Sequence, residues 1–434
     1  MKMRRTMVLL LALLLAGCSS ANSSSEPDNN SVESVPSETV TEKIGEEIPE
    51  EIIADNVNET VAVFDRDGKK LGEISRYGLA SMTDEGIFYR AFPKDQTENS
   101  KSYEFRLFDP KSGKDCLIGT VNDLDYEVGY DRTELNSCIY ELLISGDLMN
   151  DEPEVQHLYK FDLKNGTAED VHSVEGTVGP YTTMTEFGGK ILICESLKNR
   201  QDGSWTNDII EYDPESGSSR KIMSFELLSN TGSDTGLRGD TMRHIASDGE
   251  HLYILRVSFT DSGARLMLDT YDRSYNRLSE QDVSGFIVQS CELNGMVQED
   301  FDNELRQYVS NMEIVDGRYI YYENFSCIRF FGDLSTGKLI SEDTNGNFSV
   351  SLGSGRPFWY LMGDGGVKLG DEPRKSIFEF EDGSLTEQKF EDKSDGRYEI
   401  WLASVSPNGT RMLELSYKSP NDSSETLPVK MCIM

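Results

Sequence analysis

The residue best placed to do chemistry is Cys18. It follows Leu15-Ala16-Gly17 and ends a stretch that opens with Lys2, Arg4 and Arg5 and continues as an unbroken apolar run over residues 7–15. That run is too short to span a bilayer as a mature helix, so it reads as the apolar core of a signal peptide. Small side chains at Ala16 and Gly17 let a peptidase approach the backbone. The rest of the chain offers less. No Gly-x-Ser-x-Gly elbow is present. His157, His172, His244 and His251 show no metal-ligand spacing. Cys116, Cys138, Cys194, Cys291, Cys327 and Cys432 contain no Cys-x-x-Cys pair. Their even number permits disulfides, while the apolar surroundings of Cys138, Cys194 and Cys432 favour buried free thiols. Asp123-Leu124-Asp125 and Asp300-Phe301-Asp302-Asn303-Glu304 fall short of a calcium loop. Arg238-Gly239-Asp240 is the integrin-binding tripeptide of adhesion proteins, in a polar, Gly-rich stretch read as a loop; chance supplies such tripeptides often. No motif asks for a metal or a cofactor, and no residue stands out as catalytic.

Leu15-Ala16-Gly17-Cys18 resembles the lipobox of bacterial lipoproteins. The resemblance implies cleavage between Gly17 and Cys18, diacylglyceryl transfer to the Cys18 thiol and acylation of the new amine. The lipid bilayer is then a partner through acylated Cys18, and the chain is anchored facing outside the cytoplasm, on an outer leaflet or in a periplasm. Two or three acyl chains hold stably, because each buried CH₂ contributes roughly 0.8 kcal/mol. Residues 1–17 are accordingly the signal peptide.

Residues 18–59 read as a tether. From 19 to 60 the chain carries 11 acidic residues against Lys43 alone, with Ser, Asn and Pro and no aromatic residue. Low hydrophobicity and like charge predict disorder. A coil of this length reaches roughly 35 Å r.m.s., at about 5–6 Å × √n.

From residue 60 onward, apolar alternation over short stretches recurs between Gly, Asp, Asn and Ser turns, the mark of strands. One hairpin signature repeats: aromatic or apolar residues, Asp, two or three turn residues, then Gly or Asn. Its aspartates are Asp65, Asp109, Asp162, Asp213, Asp272, Asp333 and Asp382. Asp opens such a turn by accepting backbone N–H bonds, and Gly or Asn closes it with a left-handed φ. These aspartates are therefore expected to be turn formers. They lie 44, 53, 51, 59, 61 and 49 residues apart, and four-stranded propeller blades run about 40–50 residues. Further strands are expected inside the hairpins, at residues 86–92, 190–195, 250–257, 317–323 and 357–362. A short helix is expected within 293–309, from the spacing of Val297, Phe301, Leu305 and Tyr308.

The repeats resemble bacterial secreted β-propellers of the broad TolB-like and quinoprotein-like type. Ser406-Pro407-Asn408-Gly409 is similar to the TolB-type Ser-Pro-Asp-Gly turn, with Asn for Asp. The quinoprotein tryptophan pattern is missing, since Trp205, Trp359 and Trp401 are the only tryptophans. The expected fold is all-β: a propeller of four-stranded antiparallel blades over residues 60–434, seven by hairpin count, with six or eight compatible with length. The first hairpin and the C-terminal strands are expected to close the ring together, leaving no free sheet edge.

Composition narrows the function. The chain of 434 residues holds 42 basic and 77 acidic side chains, a net charge of −35. That excess excludes nucleic acid, which is bound by Lys and Arg neutralising phosphates. It also excludes adsorption to anionic lipid through a basic face. The reading that fits is a membrane-anchored, extracytoplasmic, monomeric lipoprotein, non-catalytic, presenting a loop face to an envelope protein, peptide or glycan. The alternative is a glycan-active hydrolase or lyase with carboxylates converging on the central pocket.

Overall fold

The computed structural model describes residues 60–434 apart from 76, 92–101, 123, 146–154, 176–182, 199–204, 230–236, 261–262, 294, 297–300, 302–303, 308, 325–327, 343–347, 352–357, 362–376, 382–383, 389–397 and 419–425. Cys18, Gly17, the tether and Asp382 lie outside the described residues.

Strands β1 (Thr60–Asp65) and β2 (Lys70–Ser75) open the body, and six antiparallel four-stranded units follow in chain order. Blade one is β3 (Tyr77–Met82), β4 (Ile87–Ala91), β5 (Tyr103–Asp109) and β6 (Lys114–Val121). Blade two is β7 (Leu124–Leu135), β8 (Cys138–Ser145), β9 (Val155–Asp162) and β10 (Thr167–Glu175). Blade three is β11 (Met184–Phe187), β12 (Lys190–Lys198), β13 (Trp205–Asp213) and β14 (Ser218–Ser229). Blade four is β15 (Leu237–Ser247), β16 (Leu252–Thr260), β17 (Gly263–Tyr271) and β18 (Arg277–Asp282). Blade five is β19 (Val309–Val315), β20 (Tyr319–Asn324), β21 (Arg329–Asp333) and β22 (Lys338–Glu342). Blade six is β23 (Phe348–Ser351), β24 (Phe358–Leu361), β25 (Ile377–Glu381) and β26 (Ser384–Gln388). The seventh is β27 (Tyr398–Val405), β28 (Arg411–Lys418) and β29 (Thr426–Ile433), completed by β1 and β2 in the order β2-β1-β29-β28-β27. The architecture is an all-β propeller.

Closure takes the expected route, the first hairpin joining the C-terminal strands. The C-terminus supplies three strands, so the closing blade has five, and β1 joins β29 in parallel register, Val63 opposite Met431. Ser404 Oγ then accepts the Met82 N–H at 2.9 Å, and Asp84 Oδ1 accepts the Asn408 N–H at 2.8 Å, tying the last blade to the first. Blades three and four also differ from separate units. Strand β14 pairs with β15 over Leu227–Gly239 to Ser229–Leu237, fusing the two blades into one eight-stranded sheet.

Blades one to four are covered on both faces, which is why their second strands are apolar without alternation. Residues Ile87–Ala91 are all buried, as are Cys138 to Ile144. Successive side chains point to opposite faces. Ile87, Tyr89 and Ala91 thus pack with Val63, Met412 and Met431 of the closing blade. Phe88 turns the other way, toward Phe105, Leu143 and Phe161. The Phe105 and Phe161 rings stack at 4.3 Å between blades one and two. Burying each such ring contributes about 1.5–3 kcal/mol. The same device recurs between blades two and three, three and four, and four and five.

The turn aspartates sit on the outer hairpins. Asp109 Oδ1 accepts the Lys111 N–H, Asp162 Oδ1 those of Lys164 and Asn165, Asp213 Oδ1 that of Glu215, Asp272 Oδ1 those of Ser274 and Asn276, and Asp333 Oδ1 that of Ser335. Asp65 does the same for Asp67 and Lys69.

Residues 301 and 304–306 are helical, inside the window where a helix was expected, and a further helix precedes that window. Helix α1 covers Ser284–Leu293, between β18 and β19, and buries Phe286, Ile287 and Cys291. It ends in a Schellman motif: Met296 N–H bonds the Cys291 carbonyl at 2.9 Å, Gly295 N–H bonds Glu292, and Gly295 has φ +70°. That stop signal lies inside the 293–309 window, where helical periodicity alone could not register it. Helix α1 lies on blade five at Gly332, whose added Cβ would sit 2.6 Å from the Phe286 ring. Gly332→Ala should lower stability by on the order of 1 kcal/mol in urea unfolding, through overpacking against that ring.

Candidate functional site

The strands nearest the axis, β3, β7, β11, β15, β19, β23 and β27, were not those foreseen. The stretches expected inside the hairpins are β4, β12, β16, β20 and β24, the second strand of each blade, because these are the most continuously apolar. The innermost strands carry polar groups instead. Four of them converge: Asp131 on β7, Thr183 just before β11, His244 on β15 and Glu313 on β19.

Asp131 Oδ2 accepts the Met184 N–H at 2.7 Å and the Thr183 hydroxyl at 3.1 Å, bridging blade two to blade three. Thr183 Oγ1 also lies 3.4 Å from His244 Nε2, while His244 Nδ1 donates to the Ile245 carbonyl at 3.0 Å. Burial opposes charge on each titratable member. It raises Asp131 to about 6, against the pull of its own hydrogen bonds. It lowers His244 to about 4. It raises Glu313 to about 8, and the negative charge of Asp131 adds to that rise. Blades two and five are not neighbours in chain order, yet the charge of Asp131 is felt at Glu313. Among the described residues neither has a basic side chain against it.

Proton accounting shows what the group can do. Thr183 has one proton. While Asp131 is ionised that proton goes to the carboxylate, and His244 Nε2 keeps its lone pair. A proton arriving on Asp131 can be passed to Thr183, which then turns its own toward His244. The arrangement can therefore take a cation between Asp131 and Glu313, or move a proton between acid and imidazole.

Around this axis the blades are stapled by buried polar pairs. Arg132, the neighbour of Asp131, points to the opposite face and pairs with Glu141 Oε2 at 2.6 Å and Ser81 Oγ at 2.7 Å. Asn207 accepts from Thr241 Oγ1 at 3.0 Å and from Met242 N–H at 3.1 Å, joining blades three and four. Arg256 holds Asp269, Asp240 and Glu280 at 2.7–2.8 Å. This corrects the reading of the tripeptide as part of a loop. Arg238-Gly239-Asp240 lies in β15, paired to strands on both sides, and Asp240 is held by Arg256. Sequence reasoning treated all four histidines as ordinary strand or loop residues. His172 pairs with Glu195 at 2.7 Å across a blade boundary, His251 with Asp248 at 3.3 Å, and His244 joins the axis. Cys116, Cys138 and Cys194 are free thiols. Among the described residues no group of three or more His, Cys, Asp or Glu is spaced to hold a metal ion, and no helix is long and apolar enough to cross a membrane.

The class of protein defined here is a β-propeller with acids on its axis. No protein-family model matches the chain, and no curated protein matches it by sequence. Among solved structures it is similar to the acylaminoacyl peptidase of Pyrococcus horikoshii, at 12% identity and TM-score 0.41, over 84% of this chain and 54% of that one. It is also similar to the β-propeller domain of the Trilobed protease from Pyrococcus furiosus (11% identity, TM-score 0.37, 77% of this chain and 98% of that one). A third is the WD40 propeller domain of Doa1 (12%, TM-score 0.38, 78% and 91%). The chain spans about half the length of the acylaminoacyl peptidases it matches.

Proposed function

We propose that the chain is a lipid-anchored, extracytoplasmic binding protein. Its propeller takes a cationic side chain or amine of a protein or peptide between Asp131 and Glu313. One observation carries the binding part: two carboxyls on non-adjacent blades, the charge of Asp131 felt at Glu313, are both opposed by burial, with no basic side chain against either among the described residues. Such an arrangement destabilises the free protein and is relieved when a cation enters. The anchor rests on the Leu15-Ala16-Gly17-Cys18 quartet and the apolar run before it.

Titration calorimetry at pH 8.5 tests the site, with tri-lysine as probe and its side-chain-acetylated form as control. Glu313→Gln should weaken tri-lysine binding at least tenfold, and the acetylated peptide should not bind. Equal binding by wild type and Glu313→Gln assigns the affinity to the acidic surface and rejects the axial reading. In the producing cell, Cys18→Ala should move the protein from the membrane to the soluble fraction, and retention at the membrane rejects the anchor.

A second reading has its own support. Two acids with pKa values raised to about 6 and about 8 could divide base and acid roles in glycoside cleavage. Release of reducing ends from an envelope glycan, lost in both Asp131→Asn and Glu313→Gln, would favour it.

A further inference from the structure

Off the axis, blade two holds a second constellation. Ser145 ends β8, His157 lies in β9 and Asp170 in β10. Leu143 faces His157 and Tyr159 faces Asp170 in the ladder, so with Ser145 two residues beyond Leu143 all three side chains share one face. His157 Nδ1 is 2.7 Å from Asp170 Oδ2, and His157 Nε2 is 2.8 Å from Ser145 Oγ. An ionised carboxylate only accepts, so in the neutral imidazole Nδ1 carries the ring proton and Nε2 keeps its lone pair. The Ser145 hydroxyl must then donate. This is the tautomer a general base needs to take a proton from serine.

Four further features fit a reactive site. Ser145 is the first residue past the buried run Cys138 to Ile144, where the blade meets solvent. The His157 and Asp170 side chains are 18% and 33% exposed, so a small molecule can reach them. The ladder bulges between Asp170 and His172, a device that re-aims side chains. The Tyr159 ring lies 5.9 Å from that of His157, centroid to centroid, and offers an apolar wall on the Asp170 side of the imidazole.

We propose that Ser145, His157 and Asp170 form a nucleophilic site for carboxylic esters with a short acyl group. Ser145 Oγ attacks the carbonyl carbon and forms a C–O bond as its proton passes to His157 Nε2, and Asp170 stabilises the imidazolium. The bond to the leaving alkoxide breaks, the alkoxide takes the proton from Nε2, and acyl-Ser145 remains. Water attacks the acyl carbon, giving a proton to Nε2. The bond to Ser145 breaks, Ser145 regains the proton and the carboxylic acid departs.

The boundary between blades two and three carries an internal comparator. Ser219 Oγ lies 3.2 Å from His172 Nδ1, and His172 Nε2 lies 2.7 Å from Glu195 Oε1. That longer contact activates its serine less. A purely structural chain would leave Ser145 no more reactive than Ser219.

The test treats the full chain with a biotinylated fluorophosphonate, maps the adduct by peptide mass spectrometry, and follows p-nitrophenyl acetate turnover in parallel. A single adduct on Ser145 is expected, absent in Ser145→Ala and formed at least tenfold more slowly in His157→Gln and Asp170→Asn. Thermal melts confirm that each variant is folded. If His157→Gln does not fold, Asp170→Asn decides by the same criterion. Labelling of Ser219 in preference to Ser145, an unchanged rate in the variants, or no adduct where a serine esterase standard reacts fully overturns the proposal. The axial site takes no part, so either reading can fail alone.

Discussion

Arg132→Met should destabilise the propeller by about 3–5 kcal/mol, read as a lower urea midpoint at unchanged slope. Arg132 sits on an innermost strand with 12% of its side chain exposed, and its partner Glu141 has 1%. Two guanidinium nitrogens reach Glu141 Oε2, a third reaches Ser81 Oγ in blade one, and the guanidinium lies 4.9 Å from the Phe88 ring. Removing the cation leaves a carboxylate buried with its Coulombic partner gone. The penalty is that of an uncompensated charge rather than of one lost hydrogen bond. The double variant Arg132→Met, Glu141→Leu should therefore recover most of the loss, since neither desolvated charge remains. If the double variant is as unstable as the single one, packing against Phe88 dominates and the electrostatic account is wrong.

The outer parts of the blades were legible and the axis was not, for a physical reason. An outer hairpin is a local object. Asp109, its turn and Gly113, with φ +68°, lie within five consecutive residues and are dictated by backbone geometry, so the chemistry of the turn is written into adjacent letters. The axial group joins residues spread from Asp131 to Glu313, each alone in its strand. Their one local signal is an acid inside an apolar run, as in Met312-Glu313-Ile314-Val315. Many solvated strand acids look the same, and only ring closure distinguishes them. The Ser145 chain is hidden in the same way, because its members meet through register between strands.

Glu313→Gln should make the protein more stable in mild alkali. Burial and Asp131 place Glu313 at about 8 in the folded chain, against an ordinary value of 4.5. Between those values the folded state holds a proton that the unfolded state has lost. Stability therefore falls as pH rises from 4.5 toward 8 and is level above it, at a slope of about 1.4 kcal/mol per pH unit. Asp131 acts in the same direction between 3.8 and about 6. His244 acts oppositely: with its pKa lowered from 6.5 to about 4, stability rises with pH across that window. The three overlap below 6.5, and above it Glu313 acts alone among them. Between pH 6.5 and 8 the wild type should thus lose up to about 2 kcal/mol that Glu313→Gln keeps, partial exposure of the carboxyl setting that figure as the upper end. Urea unfolding at both pH values measures the difference, and parallel curves for the two proteins would remove Glu313 from the axis. The result also bears on ligand. A residue that weakens its own fold on ionising is retained where its charge is used, and tri-lysine should restore at pH 8.5 the stability that ionised Glu313 removes, in the wild type and not in Glu313→Gln.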